Sequence, residues 1–136
     1  LRINTLFPLI IQQKIILGMK KRKYGRIING SSIGVKFGGG KNTFNYSFAK
    51  HCMEFIPNSY KDWAKSNILI NNIRIGVTNT KIHNNIKKNL SMKKRLNLIP
   101  AKRMAEPNEI ANYITYLISE KNTYMTGQTI TVSGGE

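Results

Sequence analysis

Apolar residues recur at helical spacing near the start of the chain (Leu6, Leu9, Ile10, Ile16, Leu17), which predicts a helix over residues 5–21. Its end is marked by Lys20-Lys21-Arg22-Lys23, cations that suit the negative end of a helix dipole, and by Gly25. The pattern then changes period. Arg26-Ile27-Ile28-Asn29 is a short β-branched run read as a buried strand that ends at Gly30-Ser31-Ser32. Residues 34–41 are loop-like in composition. A second helix is expected from Asn45 to Lys65, with Phe48, Cys52, Phe55 and Trp63 among its apolar positions and a kink at Pro57. Residues 68–75 read as a strand closed by Gly76, and residues 80–98 as a polar, basic stretch of short helices. Glu106-Pro107-Asn108-Glu109 opens a third helix with apolar positions Ile110, Ile114, Leu117 and Ile118. Thr126-Gly127-Gln128 turns into a last strand, Thr129 to Val132.

Strands that alternate with helices, two of them rich in β-branched residues, argue for an α/β fold: a parallel sheet with helices on both faces. Sites in such sheets lie beyond the carboxyl ends of the strands, here near Ser32, Gly76 and Ser133. The 136 residues suffice for one core and fall short of two ordinary domains. The chain starts at Leu1, inside a helical pattern and without an initiator methionine, which points to a fragment.

Charge changes the picture less than its size suggests. A formal net charge of +16 is compatible with nucleic acid or an anionic membrane as partner. However, the cations are spread out, the densest runs are not interleaved with aromatics, and heavy use of Ile, Asn and Lys accounts for the excess as compositional drift. Nucleic-acid binding is the reading ranked last. Cys52 is the single cysteine, so no internal disulfide forms. The apolar run from Leu6 to Met19 is too short and too polar to span a bilayer, and a cytoplasmic location is the default. His51 and His83 have no Cys or carboxylate cluster at ligand spacing, so no metal site is expected.

Candidate chemistry sits on the second helix. Tyr46 and Lys50 stand four residues apart and so share a face. A free tyrosine titrates near pH ~10, and a neighbouring ammonium favours the phenolate, making such a phenol a usable proton donor or acceptor. A hydroxyl from the preceding strand tip, Ser32 with Ser31 as the competing candidate, is suited to hydrogen-bond a substrate oxygen as charge develops on it. Gly34, Gly38 and Gly40 imitate a phosphate-binding pattern by letter, but they do not open a helix after the first strand of a βαβ unit.

Gly25-Arg26-Ile27-Ile28-Asn29-Gly30-Ser31-Ser32 followed by Tyr46-Ser47-Phe48-Ala49-Lys50 resembles the strand-and-helix signature of short-chain dehydrogenases/reductases. Further matches follow in the family's order: Asn67 to Ile73, Gly76 with Thr80, Arg103 to Ala111, and Thr126 to Gly135, with Ile3-Asn4-Thr5-Leu6 near the start. The resemblance spans nearly the whole chain. It implies that residues 1–136 form a single partial domain: the catalytic, C-terminal portion of a Rossmann-like doubly wound parallel sheet, with three strands and without the N-terminal nucleotide-binding half. It implies a catalytic tetrad of Asn4, Ser32, Tyr46 and Lys50, and contacts to NAD or NADP from Tyr46, Lys50, Gly76, Val77 and Thr80.

In that scheme Tyr46 is the acid/base, Lys50 supports it and binds the nicotinamide ribose, and Ser32 orients the substrate carbonyl or hydroxyl. Asn4 holds a water that links Lys50 to solvent, while Thr80 and the backbone after Gly76 meet the carboxamide. The implied reaction interconverts an alcohol and a carbonyl of a small molecule. The implied assembly is a homo-oligomer, dimer or tetramer, joined through helices 5–21 and 45–65. The chain departs from the pattern at Ile75, where the family has proline, at Pro57, and in a slightly longer loop before Tyr46. A catalytically incompetent remnant lacking the cofactor loop is the second reading.

Overall fold

The computed structural model of the chain describes residues 1–81 and 90–136. His83 and most of the first half of the 80–98 stretch lie outside the described residues. A wide helical turn, Arg2–Leu6, leads into α1, Phe7–Arg22. The following elements are β1 (Gly25–Ser32), a short 3-10 turn (Ile33–Phe37), α2 (Phe44–Met53), α3 (Tyr60–Lys65) and β2 (Ile68–Ile75). After these come α4 (Leu90–Leu98), α5 (Pro107–Ile118) and β3 (Thr129–Val132).

The three strands run parallel in the order β1-β2-β3. The register pairs Gly25 with Ile68 and Ser32 with Ile75, while Asn72 pairs with Thr129 and Ile75 with Val132. With a neighbour on each side, β2 is the best buried element, and Ile68, Ile70 and Ile73 are fully covered. Alternation along the strands gives the sheet two different faces. Ile27, Asn29 and Ser31 share one face with Ile68, Ile70, Asn72 and Arg74. On this face Ile16 and Met19 of α1 and Trp63 of α3 pack on Ile27, Ile68 and Ile70 to form the main core. Arg26 points to the other face, where its guanidinium donates to the Asn122 carbonyl just beyond α5. Helices therefore lie on both sides of a parallel sheet, as the alternating pattern predicts.

Two helical expectations are corrected. The predicted helix over 45–65 is not one kinked rod but two helices, α2 and α3, separated by residues 54–59. Pro57 has no N–H to give, and it biases the residue before it away from helical geometry, so the chain breaks and restarts at Tyr60. On α1 only Ile16 among the five apolar positions is buried, joined by Met19, while Leu6, Leu9, Ile10 and Leu17 are exposed. The apolar side chains of the helix meet the sheet through its last two turns, while in its first half Gln12 reaches Asn29 of β1 and Leu9, Ile10 and Ile11 stay exposed. Phe48 and Phe55, expected among the apolar packing positions, are likewise exposed. The 34–41 loop also contains more order than its composition indicates, since Ile33 is buried and Ser32 caps the 3-10 turn.

The start of α5 is as expected, with Pro107 in the first turn and an acid at the positive dipole end. The Glu106 N–H donates to Glu109 Oε2 at 2.7 Å, and Arg103 donates two bonds to the same carboxylate at 2.6 and 2.7 Å. The Arg103 hydrogen bonds, followed by the Glu106 backbone donor, hold the Glu109 carboxyl down at about 2. A folded-state value below that of the unfolded chain stabilises the fold above the ordinary glutamate range, near pH ~4.3. That contribution is then lost as pH falls from there toward about 2. A carbon-detected NMR titration of Glu109 is expected to find its midpoint near 2, and a midpoint in the ordinary range would contradict the Arg103 clamp.

Candidate active site

The site is built at the carboxyl end of β1. Ser31 and Ser32 are consecutive strand residues and therefore point to opposite faces, which separates the two serine candidates. Ser31 is buried and turns toward the end of α2, where its hydroxyl donates to Glu54 Oε1 at 2.7 Å. Ser32 remains half-buried, and its Oγ accepts from the Gly34 N–H at 3.2 Å. Since that oxygen is used as an acceptor, the O–H proton of Ser32 is still available to a ligand. A side chain at Gly34 would meet both Ser32 Oγ and Ser47 Oγ within 3.4 Å, so the Ser32 hydroxyl lies near Ser47 in the first turn of α2.

Tyr46 is 47% exposed and shares a helical face with Lys50, whose Nζ lies 5.9 Å from the Tyr46 ring centroid. Lys50 Nζ donates to the Gly30 carbonyl of β1 at 2.7 Å. Among the described residues that single bond leaves two N–H donors of the ammonium for other partners, and burial holds the Lys50 ammonium below the usual lysine range. Asn4 sits half-buried in the turn before α1, and this turn is tied to α2 by Thr5 Oγ1 donating to the Ala49 carbonyl at 3.1 Å. The segment carrying Asn4 is thus docked next to Lys50.

The β2 end lies alongside. Ser32 is paired with Ile75, so Gly76 leaves the sheet one residue beyond the Ser32 position. Its N–H donates to the Val132 carbonyl at 2.9 Å, and a Cβ there would stand 2.6 Å from Ser133 Cα, a backbone atom that cannot yield locally. Gly76→Ala is therefore expected to force β2 and β3 apart at this end, at about 1–3 kcal/mol of stability, measurable by urea unfolding. An unchanged midpoint would show that the strands have room.

With Ile75 in place of proline, the turn is held by other means. Thr78 Oγ1 donates to the Gly76 carbonyl at 3.0 Å, and a parallel bridge joins Thr78 to Ala105. The bridge uses the Val77 carbonyl and the Asn79 N–H, which turns the Thr78 N–H and carbonyl to the opposite edge. Thr80 is exposed, and its hydroxyl folds back on the Thr78 carbonyl at 3.5 Å rather than toward Lys50.

The letter-match glycines fall in and just after the 3-10 turn, where Gly34 sits between two serine hydroxyls rather than at the mouth of a helix. Beyond them an open groove of about 680 Å³ is lined by Gly34, Phe37, Thr43, Arg95, Leu98 and Glu136. Sequence reasoning did not single out Arg95 or Glu136, which pair with each other across this groove. It also missed the Glu54–Arg74 ion pair beneath Ser31. No local signal marks such pairs, because the partners are far apart in the chain and the fold alone brings them together. Among the described residues there is no metal-ligating cluster and no helix long and apolar enough to cross a membrane.

Comparison with known proteins identifies the family to which this fold belongs. A family model described as enoyl-(acyl carrier protein) reductase matches residues 3–136. The chain belongs to the short-chain dehydrogenase/reductase family. It is 37% identical over 140 residues to the 3-oxoacyl-(acyl-carrier-protein) reductase of Buchnera aphidicola subsp. Schizaphis graminum, covering 99% of this chain and 55% of that protein. It is also 35% identical to an acetoacetyl-CoA reductase of an Acinetobacter species, covering 98% of this chain and 52% of that one. The chain spans about half the length of the curated relatives it matches. Its fold is that of a 3-oxoacyl (acyl-carrier-protein) reductase from Agrobacterium tumefaciens C58 solved with NADP bound, at a TM-score of 0.86 and 23% identity, over 98% of this chain and 53% of that one.

Proposed function

We propose that the protein is an NAD(P)-dependent oxidoreductase that interconverts a carbonyl and an alcohol, with 3-oxoacyl thioesters as the substrate class. The observation that carries this is the Lys50 ammonium, fixed on the Gly30 carbonyl with two donors to spare and on the same face as an accessible Tyr46 phenol. The thioester class follows from the names of its relatives, 3-oxoacyl-(acyl-carrier-protein) and acetoacetyl-CoA reductases.

The donor set fits a nicotinamide nucleotide: the Lys50 ammonium suits a ribose diol, and the Thr78 edge turned away from the Ala105 bridge, with Gly76 and Val77 before it, suits a carboxamide. When bound, that cofactor supplies the hydride. The protein manages the proton and the geometry. Ser32 donates its hydroxyl hydrogen to the substrate carbonyl and holds that oxygen within reach of Tyr46. Tyr46 delivers its phenolic proton to the oxygen as charge builds there. Lys50 steadies the resulting phenolate, and Asn4 with its docked turn provides the route by which a water returns the proton. Thr80 closes the carboxamide side.

Residues 1–136 act here as a single partial domain. A homo-oligomer joined through α1 and α2 accounts for the exposed Leu6, Phe7, Ile10, Phe44, Phe48 and Phe55, and light scattering is expected to return the mass of a dimer or tetramer. The working compartment is the cytoplasm.

Titration of the protein with NADPH and NADH is expected to enhance nicotinamide fluorescence, and acetoacetyl-CoA is then expected to consume the reduced cofactor. The competing reading is a remnant without cofactor binding. Absence of binding to either nucleotide establishes that reading and overturns this one.

A further inference from the structure

The helix that carries Tyr46 and Lys50 ends on an acid, which is unusual, since a carboxylate at the negative end of a helix dipole is unfavourable there. Glu54 is the residue following α2, and its side chain is only 8% exposed. Three side chains from the sheet converge on it. Arg74 of β2 donates from Nε to Oε1 at 2.7 Å and from Nη2 to Oε2 at 2.6 Å, a bidentate pair that fixes both distance and orientation. Ser31 of β1 donates to Oε1 at 2.7 Å. Asn72 of β2 takes the Glu54 backbone carbonyl at 2.7 Å.

Burial alone would raise the Glu54 carboxyl. The hydrogen bonds from Arg74 and Ser31, with the charges of Arg74 and His51, outweigh it and hold the group ionised below its ordinary range. Ser31 also lies 3.3 Å from the Lys50 carbonyl, so the clamp is one turn from the ammonium it would steady. Pro57 ends helical structure three residues later, so no continuing helix helps hold this end of α2.

We propose that Glu54 and Arg74 are positioning residues for Lys50: their ion pair, with Ser31, pins the last turn of α2 to β1 and β2 and thereby keeps the Lys50 ammonium on the Gly30 carbonyl. The inference rests on the oxidoreductase reading for its purpose, but its test does not depend on turnover. Lys50 Nζ and its neighbouring Hε protons are followed by NMR in protein carrying nitrogen-15 lysine, together with amide exchange over residues 50–54.

In Arg74→Met the Glu54 carboxylate is left buried without its cation. The Lys50 signal is then expected to move to the position of the exposed lysines, and exchange in the last turn of α2 to rise at least ~10-fold. In the double variant Arg74→Met with Glu54→Leu no charge is stranded, so stability is expected to recover while the Lys50 signal stays displaced, because the bridge to the sheet is gone. Ser31→Ala, which leaves the ion pair intact, is expected to move the Lys50 signal part of the way and decides the matter if Arg74→Met fails to fold. A Lys50 signal that stays at its wild-type position in every folded variant overturns the proposal, whatever happens to nucleotide binding. Absence of nucleotide binding in the unaltered protein, with the Lys50 shifts as expected in the variants, would instead overturn the oxidoreductase reading and leave the clamp standing.

Discussion

Tyr46→Phe is expected to lower carbonyl reduction by about 10²–10⁴-fold while the reduced cofactor binds nearly as before. The substitution removes one oxygen and its proton and leaves the ring where it is. Tyr46 is half exposed on α2, and among the described residues its hydroxyl makes no hydrogen bond, so stability has little to lose. The Lys50 ammonium keeps its bond to the Gly30 carbonyl and its remaining donors. The loss should therefore fall on kcat, the signature of a group that works mainly in the transition state. Stopped-flow consumption of NADPH with acetoacetyl-CoA, set beside a fluorescence titration of the same variant, separates the two quantities. A variant with near wild-type turnover would remove Tyr46 from the mechanism.

The largest expected effect on folding is at Ile70. This residue is fully buried on β2, the middle strand, and packs in the cluster with Ile16, Met19, Ile27, Trp63 and Ile68. Truncation to alanine removes three carbon atoms from the point where α1, α3 and two strands meet. Neighbours held by β1 pairing on one side and by the Thr126–Gly127 turn on the other cannot close the void. Ile70→Ala is expected to cost about 2–5 kcal/mol, a large share of the stability of a domain this size. Urea unfolding followed through the single tryptophan, Trp63, reports on the same cluster. A cost below about 1 kcal/mol would mean that the core can rearrange around the gap.

Much of this architecture is readable in the residues. The β-branched runs at 26–29 and 68–75 locate β1 and the middle strand β2, whose cover on both faces makes its first six residues a continuous buried run. The Tyr46–Lys50 spacing puts two groups on one helical face, and the structure keeps them there. Pro57 is visible too, but its consequence depends on what lies after it. A kink needs packing to carry the helix through, and between Glu54 and Trp63 the core takes only the partly buried Ile56 and Tyr60. The first half of α1 misled for a related reason: apolar periodicity shows that a face wants covering, not what covers it. Least legible was the clamp at Glu54. Its acid and its arginine are twenty residues apart in sequence, and only the parallel register of β1 and β2 brings Ser31 and Arg74 side by side.

Asn29 and Asn72 are register partners, both buried, and the Asn29 amide donates to the Asn72 carbonyl oxygen at 3.0 Å, with Gln12 of α1 reaching Asn29 at 2.7 Å. Apolar strands slide past one another at modest cost, since one isoleucine replaces another. A row of amides works like the teeth of a key. Moving β1 by a single step would strand these groups among hydrocarbon with nothing to bond, and each would then lose about 1–3 kcal/mol. The asparagines thus act as an alignment mark, fixing which residue of one strand faces which residue of the next.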